Sequence, residues 1–439
     1  VAYLSPFDNC LMSDRSNGSP RRSGLARLTV VVVGAGVIGL AVACRLTEEG
    51  AEVAVIDRDP EGDKASFGNA GGIAVTEVAP ASVPGLAWRI PGWLLDPLGP
   101  LAIRPAHAVK LLPWLWRFSK AGAPKEVARI AAALAALNGR VYDDLLPMLE
   151  RTGLSGELNR RGALTVYESE SAFRRDSGEW ALKRSYGVVA EAMDGDEARA
   201  MEPALGPNIR RAMFTPQWAH VNDPKRLADG MRGWLQAQGA TIVAGAVRTI
   251  PPPRGGKAIL ALEDGQEVQA DMIVVAAGVW SGAFAEGLGD RVFIESERGY
   301  NTTLRDPGVS LKREIIFAEK KFVATPLSCG LRIGGAAEFG GLGASANYRR
   351  SEALATLAAR YLPGLKTGER VNWAGHRPAT PDSLPVIGAA SRRADVYYAF
   401  GHGHLGLTQA ATTGRIIADL IHGRAPVIDL SPFSIARFR

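Results

Sequence analysis

At 439 residues, 46% of them hydrophobic and 22% charged, the chain has the size for two or three domains and the balance of an ordinary soluble globular protein, which sets aside disordered, collagen-like and membrane-embedded classes. The net charge of +6 collects at the ends, with Arg15, Arg21, Arg22 and Arg27 against Asp8 and Asp14 at one and Arg437 and Arg439 at the other; only +2 is left between, and no nucleic-acid-binding motif accompanies it. Cys10, Cys44 and Cys329 stand apart with no CxxC pair, which excludes a disulfide framework and a cysteine zinc site and suits a reducing, cytoplasmic setting.

Residues 1–26 are rich in Ser, Asn, Arg and Pro, lack hydrophobic periodicity and read as a disordered tail. Met12 within it is a candidate natural start. RRSGLARLTVVVVGAGVIGLAVA (21–43) has the twin arginines, apolar run and small-residue end of an export signal. A buried parallel strand turning into a helix accounts for it better, because an export signal does not need the GAGVIG spacing. The β-branched run Val30–Val33 suits a strand buried on both faces. Gly34 permits a tight turn, Gly36 a close approach of backbone to a pyrophosphate, and Gly39 close packing of helix on strand. The helix, about 37–49, opens with Val37 and Ile38, aims its N-terminal N–H groups at phosphates and stops at Gly50. A second strand, Glu52–Ile56, delivers Asp57, 21 residues past Gly36, where a carboxylate accepts both hydroxyls of an adenosine ribose. Strand, glycines, helix, strand and acid in this order point to a dinucleotide. KASFGNAGGI (64–73) follows; its small residues with Asn69, Gly71 and Gly72 let backbone pass close to a large flat ligand. A NAD enzyme would instead continue its alternation of helices and strands, and a flexible surface loop is the plain alternative.

AVKLLPWLWRFSKAG (108–122) combines aromatic, apolar and basic residues, as membrane-surface helices, core helices and dimer contacts all do. EVARIAAALAALNGRVYDDLLPMLERTG is helical by spacing, and RGALTVYES reads as a strand. NDPKRLADGMRGWLQAQGATIVAG (222–245) reads as a helix entered through Asn222-Asp223-Pro224 and followed by a strand. ADMIVVAAGVWSGAFAEGLG (270–289) is a further buried strand meeting a helix across Gly278. The predicted class is α/β (α+β overall). A Rossmann-like nucleotide domain, discontinuous over 27–80, 211–290 and 375–430, is interrupted by a mixed-sheet substrate domain over 81–210 and 291–374.

Near the C-terminus a strand, about Val396–Phe400, runs into GHGHLG and a helix, about Leu407–Ile421. This is again a strand, a glycine loop and a helix N-terminus suited to negative charge. His402 and His404 raise a metal site or an acid–base pair. A metal needs further ligands of suitable type, and no HxxxH or cysteine partner is evident, so the loop reads as a ligand cradle.

Taken together, GAGVIG, VIDRD, GNAGGI, ADMIVVAAG, RPATPDSLPVIG and GHGHLGLT, spread over about residues 28–430, resemble the FAD-dependent amine and amino-acid oxidoreductases of the D-amino-acid oxidase superfamily. The nearest likeness is to the small-subunit type of bacterial D-amino acid dehydrogenase. The resemblance implies FAD contacts from Gly34, Gly36, Val37, Ile38, Gly39, Asp57, Arg58, Ser66, Asn69, Ala70, Gly71, Gly72, Val247 and Gly278, and from Gly403, His404, Leu405, Gly406, Leu407 and Thr408 around the isoalloxazine. That family commonly carries a small hydroxyl residue at the place of His404, which leaves its role open. No cysteine stands in the two C-terminal motifs, where sarcosine oxidases form their thioether link, so the implied FAD is non-covalent.

The implied reaction moves the Cα hydride of an amino acid to flavin N5, and the imine hydrolyses to a 2-oxo acid and ammonia; the protein supplies mainly position. Arg377 in GHRPATPD matches the arginine that grips the substrate carboxylate in related oxidases; a plain ion pair with Asp382 is the alternative. Tyr300 and Arg298 in ESERGYNTTL are candidates for the same carboxylate, and His402 for the chamber wall. Arg332 stands where sarcosine-type oxidases carry a lysine that promotes oxygen reduction, which favours a quinone or other electron carrier. The expected substrate is a D-amino acid, cyclic ones such as D-proline and hydroxy-D-proline included. A glycine- or sarcosine-type oxidase, an NAD(P)-linked dehydrogenase and a non-enzymatic flavin-binding subunit are the alternatives. The expected location is cytoplasmic, with peripheral contact at the inner membrane face.

Overall fold

A strand of four valines has to be covered on both faces, and β1 (Thr29–Val33) lies inside a six-stranded sheet with Val30, Val31 and Val32 fully buried. Each such valine contributes about 1.5–3 kcal/mol relative to exposure. The computed structural model describes residues 27–82 and 99–439. The tail read over 1–26, with Cys10, Met12 and the twin arginines, lies outside the described residues, as do residues 83–98 of the substrate-domain segment. β2 (Glu52–Asp57) and the Met272–Val275 strand flank β1 in parallel. Thr241–Ala244 extends the sheet beyond β2 and Arg393–Phe400 beyond Met272–Val275, both in parallel, and Val386–Ala390 closes that edge antiparallel.

One face of this sheet carries α1 (Val37–Glu48) and the helices Pro224–Ala237 and Gly406–Ile421. The other carries a three-stranded antiparallel sheet of Val247–Thr249, Ala258–Leu262 and Glu267–Ala270.

The second large sheet is mixed. Its order is Arg370–Ala379, Glu295–Leu304, Gly330–Phe339, Phe322–Leu327, Glu314–Phe317, Ala163–Tyr167, Arg211–Thr215, Glu191–Asp194, with Leu101–Ile103 beside Gly330–Phe339. Glu314–Phe317 runs parallel to Ala163–Tyr167, whereas Glu295–Leu304 pairs antiparallel with both its neighbours. The α/β architecture with a discontinuous nucleotide domain and a separate mixed sheet is thus present.

Three boundaries differ from the sequence reading. Arg211–Thr215, expected in the nucleotide domain, pairs with Ala163–Tyr167 and Glu191–Asp194 in the mixed sheet. Residues 375–379 belong to the same sheet, through pairing with Glu295–Leu304, and the nucleotide sheet resumes at Val386. Helices Pro124–Asn138 and Val141–Arg151, expected in the substrate domain, bury Ile130, Leu134, Leu137, Leu145 and Leu149 in one cluster with Val30, Val32 and Leu40. An amphipathic helix announces that it has an apolar face, not which sheet will cover it. Among the described residues no helix is long and apolar enough to cross a membrane.

Candidate active site

The β1–α1 turn is built by packing. Gly34 has φ +111°, and a Cβ there would sit 2.5 Å from Ala276 O, so only glycine fits. Gly39 lies against the carbonyl of Gly34, which brings α1 down onto the strand. Asp57, at the end of β2, is directed back at the turn: its Oδ2 accepts the Ala35 N–H at 2.7 Å, and its Oδ1 accepts Asp59 N–H at 2.9 Å and pairs with Lys64 Nζ at 3.1 Å. Ser66 Oγ accepts the Val37 N–H at 3.0 Å.

From this turn a cavity of about 1400 Å³ runs to the mixed sheet, larger than the roughly 300–1,000 Å³ of drug-sized sites. Gly34, Gly36, Val37, Ile38, Asp57, Arg58, Ser66, Asn69, Ala70, Gly72, Val247 and Gly278 line it. Gly39, Gly71 and Thr408 do not. Thr408 Oγ1 instead accepts the Ala74 N–H at 2.9 Å, and Gly71 O accepts the Val221 N–H at 2.8 Å. Segment 64–73 is tied down. Arg332 Nη1 donates to Phe67 O and Asn69 O at 3.0 and 2.7 Å, and Asn301 Nδ2 to Gly68 O at 2.6 Å. The Trp373 indole covers Gly68 and Gly375 and donates to Asp63. A flexible surface loop would lack these bonds. Arg332 is accordingly turned to backbone carbonyls and is not among the cavity-lining residues.

The two C-terminal motifs meet. Gly403 N–H donates to Pro378 O at 3.0 Å and His402 bridges to Ala379, so the loop is zipped to the end of the strand that carries Arg377. Gly403, His404, Leu405, Gly406 and Leu407 line the cavity. The helix they enter has no side-chain cap and no acid in its first turn, which leaves its first N–H groups available to a ligand. His402 is buried; its Nε2 meets Thr413 Oγ1 at 3.0 Å, and burial pushes its pKa down to about 3, so the ring is neutral. His404 is exposed and lines the cavity, with protein atoms crowded around its ring. Burial lowers its pKa, the Glu297 carboxylate opposes this, and Arg377 adds to it. Among the described residues no three His, Cys, Asp or Glu side chains converge on a common point.

At the mixed-sheet end, Arg377 and Glu297 are cross-strand partners. Arg377 Nη1 lies 2.8 Å from Glu297 Oε1, and both residues line the cavity. Gly299 makes room: a Cβ there would lie 2.5 Å from Arg377 Cζ. Asp382, the alternative partner read from the sequence, is held by Arg437 at 2.8 Å. Arg298 is a correction. Side chains alternate along a strand, so it points away from Glu297, donates to Ala344 O, lies 3.7 Å from Glu338 and does not line the cavity. Tyr300 shares its side of the strand; it contributes to the cavity wall, but its hydroxyl accepts the Asn347 N–H at 3.0 Å. Glu297, Trp373 and a buried acidic group escaped the sequence reading. In that group Lys183 bridges Glu77 and Glu179 at 2.8 and 3.0 Å, and Trp218 Nε1 donates to Glu314 Oε2 at 3.1 Å. The alternation that puts Glu297 beside Gly299 was readable, but its neighbour strand lies about 80 residues away.

The residues suit a flavin dinucleotide. A Cβ on Gly36 would find only Ser66 Oγ within 4 Å, at 3.5 Å, so the turn leaves an open cradle beside the α1 N-terminus. Residues 29–420 match the model of the FAD dependent oxidoreductase (DAO) family, and the chain belongs to it. The protein is an FAD-dependent oxidoreductase. Its FAD is non-covalent; Cys44 is buried and neither it nor Cys329 lines the cavity. The chain is 35% identical to a D-amino-acid oxidase of Bradyrhizobium diazoefficiens, covering 93% of this chain and 98% of that one. It is 30% identical to a D-amino acid dehydrogenase of Cereibacter sphaeroides, covering 94% and 95%. Its fold is similar to glycine oxidase from Geobacillus kaustophilus, with TM-score 0.71, 23% identity and coverage of 94% and 99%.

Proposed function

We propose that the enzyme oxidises a D-amino acid at Cα and passes the electrons to a quinone or similar carrier. The observation that carries the substrate class is Arg377, held in the cavity wall where the Arg370–Ala379 strand meets the GHGHLG loop. Relatives named D-amino-acid oxidase and D-amino acid dehydrogenase support the D configuration. When bound, FAD supplies the acceptor for the substrate's Cα hydride. The chain's own residues do the rest. Arg377 grips the carboxylate with its planar fork. The zipped loop fixes Arg377 against the flavin cradle, and Trp373 and Leu405 wall off water. Positioning of this kind supplies about 7–11 kcal/mol of the barrier. The imine product hydrolyses to a 2-oxo acid and ammonia.

Two observations support the carrier. Arg332 sends its guanidinium into the 67–69 backbone rather than the cavity. Helix Pro105–Ala121 exposes Val109, Leu112 and Trp116 on one side with Lys120 over the Trp116 ring, while its Trp114, Leu115 and Phe118 reach the cavity. Such a helix suits peripheral contact with the cytoplasmic face of a membrane, where quinones reside. Oxygen is the second reading, favoured by the name of the relative at 35% identity. The test is anaerobic mixing with D- and L-amino acids, D-proline and hydroxy-D-proline among them, followed by turnover in air or with a quinone analogue. D-amino acids should bleach the yellow flavin band and turn over faster with the analogue. Bleaching by L-amino acids alone, or by none, refutes the substrate class; stoichiometric peroxide at equal rate refutes the carrier.

A further inference from the structure

Arg377 does not face the cavity alone. Its partner Glu297 lies directly across the strand pair, half-buried like Arg377 itself, with Oε1 at 2.8 Å from Nη1. Opposite charges side by side in a cavity wall match a molecule carrying opposite charges on one carbon, and an α-amino acid is such a molecule. We propose that Glu297 receives the ammonium group of the substrate and takes its proton, while Arg377 holds the carboxylate; this rests on the amino-acid reading above.

The chemistry calls for such a group. A hydride leaves Cα only if the nitrogen has a lone pair to form the C=N bond, and an ammonium has none. In the proposed step one N–H bond breaks, its proton passes to a Glu297 carboxylate oxygen, and the bonding pair stays on nitrogen. The amine then carries the lone pair that the departing hydride requires, and the Glu297 proton returns to solvent during turnover.

The surroundings leave Glu297 in this position. Arg377 faces it from the adjacent strand. His404 faces both from the C-terminal loop and is held toward its neutral form by burial. Two residues back along the strand, Glu295 is engaged by His107 at 3.0 Å. Glu77 is taken by Lys183, and Glu314 is bonded to Trp218. Arg298 and Glu338 lie on the far side of the strand.

The test uses the FAD-loaded protein and the variants Glu297→Gln and Glu297→Asp, each checked for flavin content and melting temperature. Two ligands are compared: the best D-amino acid and benzoate, a carboxylate without an amine. In Glu297→Gln, benzoate binding, read by calorimetry, should tighten about tenfold, because the competitor for Arg377 is gone, and kcat/KM for the amino acid should fall about thirty-fold or more, as expected for a charged partner worth about 2 kcal/mol. The kcat/KM deficit should shrink as the pH rises and the substrate amine loses its own proton, and Glu297→Asp should recover part of it. A Gln variant within twofold of wild type for both ligands overturns the proposal, as does a deficit that is the same at every pH. A wild-type protein bleached by no D-amino acid defeats the substrate reading itself, whatever the variants do.

Discussion

Arg377→Ala is the most direct perturbation of the substrate end. The guanidinium is 29% exposed and its partner Glu297 23%, so neither is fully solvated, and the pair is worth more than a surface bridge. Removing one member of a buried charge pair costs about 2–5 kcal/mol. At about 1.36 kcal/mol per tenfold, kcat/KM should fall by roughly thirty-fold to several thousand-fold. The structure adds a second penalty, because Glu297 remains and faces the substrate carboxylate with like charge. Arg377→Ala with Glu297→Gln should therefore be less impaired than Arg377→Ala alone in carboxylate binding, a coupling of about 0.5–3 kcal/mol. Arg377→Lys should recover only part, since a point charge cannot reproduce the two-pronged grip. The assay is anaerobic stopped-flow reduction of the flavin, with flavin content measured on each preparation and an amine lacking a carboxylate as control; that amine should be almost indifferent. Wild-type kcat/KM in Arg377→Ala at full flavin occupancy would refute the carboxylate assignment.

Three further outcomes follow from the geometry. Gly299→Ala places a Cβ 2.5 Å from Arg377 Cζ and should lower kcat/KM about tenfold or more while changing the melting temperature little, since the guanidinium end yields first; unchanged kinetics would show that Arg377 acts from another position. Asp57→Ala removes the acceptor of Ala35 N–H and the partner of Lys64, and FAD affinity should weaken by about 1.5–3 kcal/mol, the worth of a hydrogen bond to a charged group, as read by fluorescence titration of the apoprotein. Burial holds the Glu314 carboxyl at about 8 against an ordinary 4.5, so the folded protein keeps a proton that the unfolded chain gives up. Its contribution is full below about 4.5 and is lost as the pH rises through about 8. Glu314→Gln should flatten that decline, raising denaturant stability at pH 9 relative to pH 5; an unchanged slope would remove Glu314 as its source.

What the sequence determined by itself is the local chemistry of the nucleotide end. Val30–Val33, Gly34, Gly36, Gly39 and Asp57 lie within 28 residues. Their spacing follows from one strand, one turn and one helix, whose periods are properties of the backbone. The GHGHLG loop was legible for the same reason, as a strand, a glycine turn and a helix N-terminus. The tertiary structure decided what depends on which strands become neighbours. Arg377 and Asp382 are five residues apart, and an ion pair between them is the alternative that the sequence offers. Strand pairing instead brings Glu297, 80 residues away, to 2.8 Å, while Arg437 takes Asp382. Alternation along Glu295–Leu304 separates Arg298 from Glu297, but only the register with Arg370–Ala379 tells which side is the cavity. The same holds for Arg211–Thr215 and the helices of 124–151: their apolar faces were visible, and the partner that buries each face is set by long-range packing, which no local period encodes.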